Sequence, residues 1–413
     1  MPSSALKDSP SKLLKNLLQT PEVVYSFRLF EEQADAITQE QVKICSIPSI
    51  PFGEDERAEY LRQKFLDIGL SNVHIDAAGN CLGMLQGRFQ SPLMVVSAHL
   101  DTVFSSNTDF TVRRCGERLY APGISDDGCG LVALVTIASA LMKSRAQTSG
   151  SLLFVGTVGE EGEGNLRGVR HLFTEEPWAG RIDSFISFDG PGVERITNRA
   201  LGSHRYRVTV KGSGGHSWGD FGIPNPVHAL GRAISRLVSY PLPKDQRTTF
   251  NVGKLQGGSS INSIPSDASM DVDLRSCDEA ELQRLDAFFR RSVHGAVDQE
   301  NSTRRPGDSP LLLNIELVGE RPSGETSPNS TLVELALKAT RNLGVEPELE
   351  QSSTDANLPI SLGIPAITLG AGGTSGGSHT LDEWYEPRHR DKGLKRGLLT
   401  ILGMVGLEQS NNT

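Results

Sequence analysis

No stretch of this chain is long and apolar enough to span a bilayer. Its opening residues, MPSSALKDSPSKLL, lack the charged-then-apolar pattern of a secretory leader. Cysteine is scarce: Cys45, Cys81, Cys115, Cys129 and Cys277 make an odd number with no Cys-x-x-Cys pair. The expectation is reduced, mostly buried thiols in a cytoplasmic protein. Basic charge is also short, with 41 Lys and Arg against 50 Asp and Glu and a net charge of −9. That balance, with no basic patch, argues against nucleic acid as a partner. What remains is ordinary globular composition, 37% hydrophobic and 22% charged, over 413 residues, enough for two or three domains.

The apolar pattern divides the chain. The first twenty or so residues are polar and Ser/Lys-rich, and are expected to fray. Residues 29–70 carry apolar positions at helical spacing, interrupted by the Pro/Gly-rich IPSIPFGE. VHIDAAGNCLGMLQG reads as a hairpin, and PLMVVSAHL, SLLFVGTVGEE and IDSFISFDG as strands buried on both faces, with the apolar helix GCGLVALVTIASALMKS between the first two. Such alternation indicates an α/β domain with a mostly parallel sheet. Near residue 203 the order becomes βαββαβ, a small two-layer ferredoxin-like unit. Strand and helix patterns of the first kind return after it. The expected organisation is a discontinuous catalytic domain, 1–202 plus 319–413, with an inserted domain at 203–318.

Five separated segments carry the chemistry: SAHLDTV, GISDDG, VGEEG, SFDGPG and GGSHT. Two imidazoles and three or more carboxylates suffice to hold a pair of divalent ions and leave one carboxylate as a base. His99 and Asp101 lie two apart after an apolar strand and so face one way, which lets the Asp101 carboxylate orient a ligating His99. Alone, such a pair is as readily a hydrogen-bonded surface pair. Asp126 and Asp127 sit in a Gly-flanked turn before a helix, where one residue suits bridging and the other an N-cap. We assign bridging to Asp126. Glu160 and Glu161 end a buried strand, where adjacent carboxylates are costly without cations or protons. Their side chains diverge, so one binds metal while the other moves a proton. Glu163, in the next Gly-Glu-Gly, suits a solvated loop. Asp189 follows another buried strand, at the end where α/β sheets bind ligands. His379 sits in a Gly/Ser-rich loop that allows close approach.

The set resembles the M20 family of metallopeptidases and amidohydrolases over about residues 29–407. The likeness rests on the five segments together with GGHSWGDFGIPNP, INSIPSDASMDVDLRS and GGSHTLDEWYEP. It implies a two-zinc catalytic domain and an inserted lid often used for dimerisation, hence a homodimer. Carried over by motif position, His99 and Asp189 hold one zinc, Glu161 and His379 the other, and Asp126 bridges. Cobalt or manganese also suit this donor set. Glu160 is the general base and Asp101 orients His99. His216 stabilises the oxyanion, commonly from a partner subunit, and Asn262 and Arg275 bind the substrate. Asp at position 189 is closest to the peptidase T-like, tripeptide-aminopeptidase branch. The implied activity is removal of residues from short peptides. The alternatives are an N-acyl-amino-acid amidohydrolase or carboxypeptidase with the same site, and a catalytically silent binding homologue.

Overall fold

A computed structural model describes residues 9–175 and 177–408. They form two compact units, one of the described residues up to Ala200 with those from Glu325 onward, and one of Leu201–Gly324. The inserted unit thus begins two residues before the expected boundary and ends six after it. Its last strand, Leu312–Arg321, runs past the apolar LLLNIELV stretch that set the sequence boundary.

The larger unit is built on a sheet whose centre is parallel. Strands follow in the order Ser71–Ile75, Cys81–Leu85, Ser151–Thr157, Leu93–His99, Ser184–Phe188, Ala366–Leu369 and Arg195–Ala200. Leu93–His99 is parallel to both its neighbours, and Ser184–Phe188 is parallel to Ala366–Leu369. The first two strands form the antiparallel hairpin read from sequence, with His74 opposite Leu82. Alternation explains the unbroken apolar runs. Met94, Val96 and Ala98 enter one core cluster, while Leu93 and Val95 enter another with Leu153 and Val155. The first cluster packs against Gly128–Ser144, a helix buried nearly all round. Among the strands that escaped the sequence reading are Arg195–Ala200 and Glu348–Ser352, because RITNRA and ELEQS are mixed or polar segments with no apolar run.

The polar N-terminal stretch is not frayed where it is described. Pro10–Leu17 is a helix with proline in its first turn, and Leu14 and Leu17 are buried in the main core. Four leucines at helical spacing outweigh the polar residues between them. Within the described residues no helix is long and apolar enough to cross a membrane.

The inserted unit is a four-stranded antiparallel sheet in the order Thr248–Gly257, Asp267–Ser276, Gly202–Lys211, Leu312–Arg321. Its two helices, Pro226–Leu237 and Glu279–Ser302, share one core with the inward residues Val208, Val210, Met270 and Leu274. All five cysteines are free. Cys45, Cys81 and Cys129 are buried, whereas Cys115 is exposed.

Candidate metal centre

The acidic and imidazole segments converge at the carboxyl ends of the parallel strands. His99 is the last residue of its strand, and Asp189 directly follows another. Asp126 and His379 are supplied by a separate small sheet. Its hairpin, Thr374–Gly376 with Trp384–Glu386, pairs with Arg118–Tyr120, which leads into the turn bearing Asp126. His379 sits in that hairpin's connection at φ 65°, a left-handed conformation.

Asp126 lies between both imidazoles. Its Oδ1 is 3.0 Å from His99 Nε2 and its Oδ2 is 3.0 Å from His379 Nε2. His379 Nε2 is also 3.0 Å from Glu161 Oε1. Two trios therefore share Asp126: His99, Asp126 and Asp189, and Asp126, Glu161 and His379. In each trio, ligand atoms lie within 4.8 Å of one another. Glu160 joins His99 and Glu161 in a third such group. One imidazole, one private carboxylate and one shared carboxylate per trio is a donor set that fits two divalent ions.

The electrostatics suit cations. Burial alone would lower the His99 pKa, but its hydrogen bond to Asp126 and the fields of Asp127, Asp126 and Asp101 hold it well above the usual range. Hydrogen bonds to Asp126 and Glu161 raise His379 to about 10. Burial pushes Asp189 to about 7, aided by Asp126. Burial also opposes ionisation of Asp126, yet hydrogen bonds from His379 and His99 bring its pKa below the usual carboxylate range. Acidic groups here hold protons that bound cations would replace.

Asp127 takes the other role foreseen for the pair. It is fully buried, its Oδ1 caps the helix by accepting from Gly130 N–H at 2.9 Å, and its Oδ2 accepts from His99 N–H at 3.2 Å. Asp101 differs from expectation. The His99 ring hydrogen-bonds to the Asp101 backbone carbonyl at 3.0 Å, while the carboxylate is 3.8 Å away. That carboxylate instead accepts from the N–H groups of Glu160 (3.1 Å) and Glu161 (2.8 Å). The chain turns after His99, so the residue two further on presents its main chain to the ring and its side chain to the neighbouring strand's exit. Glu163 is exposed, as a solvated loop residue.

The inserted unit carries the other three residues. Gly215–His216 pairs with Ser263–Ile264, and Ser217 N–H donates to the Asn262 carbonyl, so His216 and Asn262 share one corner. Trp218 and Phe221, 88% and 80% exposed, lie beside it. Arg275 is not brought there. It lies near the far end of Asp267–Ser276, roughly 26 Å along an extended strand, with Nε donating to Asp273 Oδ2 at 2.6 Å.

Two tethers near the centre had no assigned role in the sequence reading. Glu54, of Pro-Phe-Gly-Glu, accepts a two-pronged bond from Arg167 at 2.9 and 2.7 Å, tying the early loop to the segment after Glu161. Glu383 holds the turn before Asp126. Its signal lay in plain view in GGSHTLDEWYEP, four residues after a candidate ligand.

Comparison with known proteins gives a consistent picture. Residues 95–402 match the model of peptidase family M20/M25/M40. The chain is 24% identical over 371 residues to N-acetylcysteine deacetylase of Bacillus subtilis, covering 82% of this chain and 87% of that protein. Among solved structures it resembles aminopeptidase PepT from Bacillus cereus, with a TM-score of 0.71, 20% identity and coverage of 89% and 98%. It also resembles a Bacillus subtilis dinuclear metal-binding peptidase of the M20 family, with a TM-score of 0.64, 17% identity and coverage of 91% and 99%.

Proposed function

The chain belongs to peptidase family M20/M25/M40, and we propose that within it the protein is a di-zinc exopeptidase that removes the N-terminal residue of tripeptides or similar short peptides. The observation that carries this reading is the pair of ligand trios sharing Asp126, with Glu160 held beside them. When bound, the two ions would polarise the scissile carbonyl and acidify the attacking water. His99 and Asp189 would hold one, Glu161 and His379 the other. Glu160 takes the proton of the attacking water and returns it to the leaving amine. Its backbone N–H is held by the Asp101 carboxylate. His216 Nδ1 accepts from the N–H groups of Trp218 and Gly219, each at 3.2 Å. The hydrogen of the neutral ring is thereby assigned to Nε2, a donor suited to an oxyanion. Asn262, at the same corner, contributes to substrate binding.

The protein acts as a homodimer through the inserted unit. The edge strand Thr248–Gly257, paired on one side only in the described unit and exposed over most of its length, supports this. Sedimentation equilibrium at twice the monomer mass is the expected result.

A second reading, an N-acyl-amino-acid amidohydrolase, is favoured by the likeness to a deacetylase over most of the chain. A silent binding homologue is disfavoured because a scaffold has no use for Glu160, a 4%-exposed carboxylate beside the ligands. A panel of di-, tri- and tetrapeptides with free N-termini plus N-acetyl amino acids, each with and without chelator, separates the three. Chelator-sensitive release of N-terminal residues from tripeptides is expected. Cleavage of acylated compounds alone assigns the amidohydrolase, and no cleavage by the metal-loaded protein assigns the silent homologue.

A further inference from the structure

The turn that presents Asp126 directs four donors at one carboxylate. Glu383 Oε2 accepts from Gly123 N–H at 2.9 Å. Its Oε1 accepts from Ser125 N–H at 2.8 Å, from the Ser125 hydroxyl at 2.6 Å and from Asp126 N–H at 3.1 Å. Glu383 has no exposed surface. Its place is set by the small sheet, where Trp384 and Tyr385 pair with Tyr120 and Leu119, and Ala121 N–H donates to the Glu383 carbonyl at 3.2 Å.

Glu383 also shares a connection with His379. One end of that connection carries an imidazole touching Asp126 Oδ2, and the other carries a carboxylate gripping the Asp126 backbone. The same device recurs twice in this unit. Asp101 holds the backbone of Glu160 and Glu161, and Asp127 holds that of His99. In each case a carboxylate beside one ligand fixes the main chain of another.

We propose that Glu383 is a positioning residue for the dinuclear centre, acting through Asp126 by fixing the turn that aims the shared carboxylate. It touches neither ion nor substrate. The proposal rests on the reading of Asp126 as the shared ligand. A carboxylate is needed because both oxygens accept. In Glu383→Gln the amide NH2 faces either Gly123 N–H or the Ser125 and Asp126 donors, so part of the grip is lost while volume is kept. Loss of such outer partners typically weakens metal affinity by about 10–100-fold.

The test is titration of metal-free full-length protein with Zn2+, followed by calorimetry, alongside thermal unfolding by circular dichroism. Folded Glu383→Gln is expected to bind at least one of the two ions about 10–100-fold more weakly, with lost activity returning at excess metal. A merely structural role lowers the melting temperature and leaves the affinity of the folded protein unmoved. Folded Glu383→Gln with both ions at wild-type affinity overturns the proposal. If that variant does not fold, Ser125→Ala decides, since it keeps the carboxylate and three of the four donors. A several-fold loss of affinity supports the proposal, and wild-type affinity overturns it. Fewer than two ions in the wild type overturns the reading of the centre and this proposal together. Two ions in the wild type, with unchanged affinity in the variants, overturns this proposal alone.

Discussion

Glu160 has its N–H held by Asp101 and its side chain buried among ligands, which divides two losses cleanly. Glu160→Ala removes the proposed base and none of the five proposed ligands, so kcat is expected to fall about 10²–10⁴-fold with metal content unchanged. Steady-state kinetics beside elemental analysis check this, and unchanged turnover would sink the mechanism. Asp101→Asn keeps one accepting oxygen and turns an NH2 toward a backbone donor. Activity is expected to drop about 10–100-fold, with ligation by His99 intact, because the ring is held by a carbonyl. Residue types and spacing made the candidate ligands legible, since strand ends and glycine turns are where such groups gather. They could not show Asp101's partner. A carboxylate two residues from a histidine is close in sequence whether or not the chain bends away between them, and here it bends.

Helix Gly128–Ser144 depends at its start on Asp127, which also satisfies His99 N–H. In the metal-free protein Asp127→Ala removes a cap and leaves a buried donor unpaired, an expected loss of about 2–4 kcal/mol by chemical denaturation. Destabilisation within a few tenths of a kcal/mol of zero would mean that another group takes over the cap. The N-terminal helix gives a second check. Leu14 is fully buried, so Leu14→Ala is expected to cost about 2–5 kcal/mol, whereas a frayed segment would cost nothing. Strands buried on both faces were readable because most residues along them are apolar. Arg195–Ala200 and Glu348–Ser352 were not, because backbone pairing with a neighbour holds them and leaves no mark in side-chain pattern. Arg275 lies apart from Asn262 for a related reason. Its motif lies close in sequence to Asn262, but an extended strand carries it away.

For the molecule as a whole, metal and protons compete. In the metal-free protein Asp189, raised from 3.8 to about 7, contributes stability that is full below its ordinary pKa and lost as pH rises through about 7. His379, raised from 6.5 to about 10, contributes stability that is lost as pH rises through about 10. Asp126 is shifted downward, so its contribution is present at neutral pH and lost on acidification below its ordinary value. Between about pH 5 and pH 9 the raised groups set the trend, and the metal-free protein is expected to lose stability as pH rises. Ions must displace those protons, so apparent affinity is expected to be about tenfold or more tighter near pH 8 than near pH 6. Titrations at the two values check the sign, and tighter binding at the lower pH would contradict it. The most direct test of the account is the number of divalent ions bound per chain at saturation, measured by elemental analysis after dialysis of reconstituted protein. Two trios sharing Asp126 predict two ions, falling together on Asp126→Ala; a wild-type chain that saturates at one ion or none would contradict the shared centre.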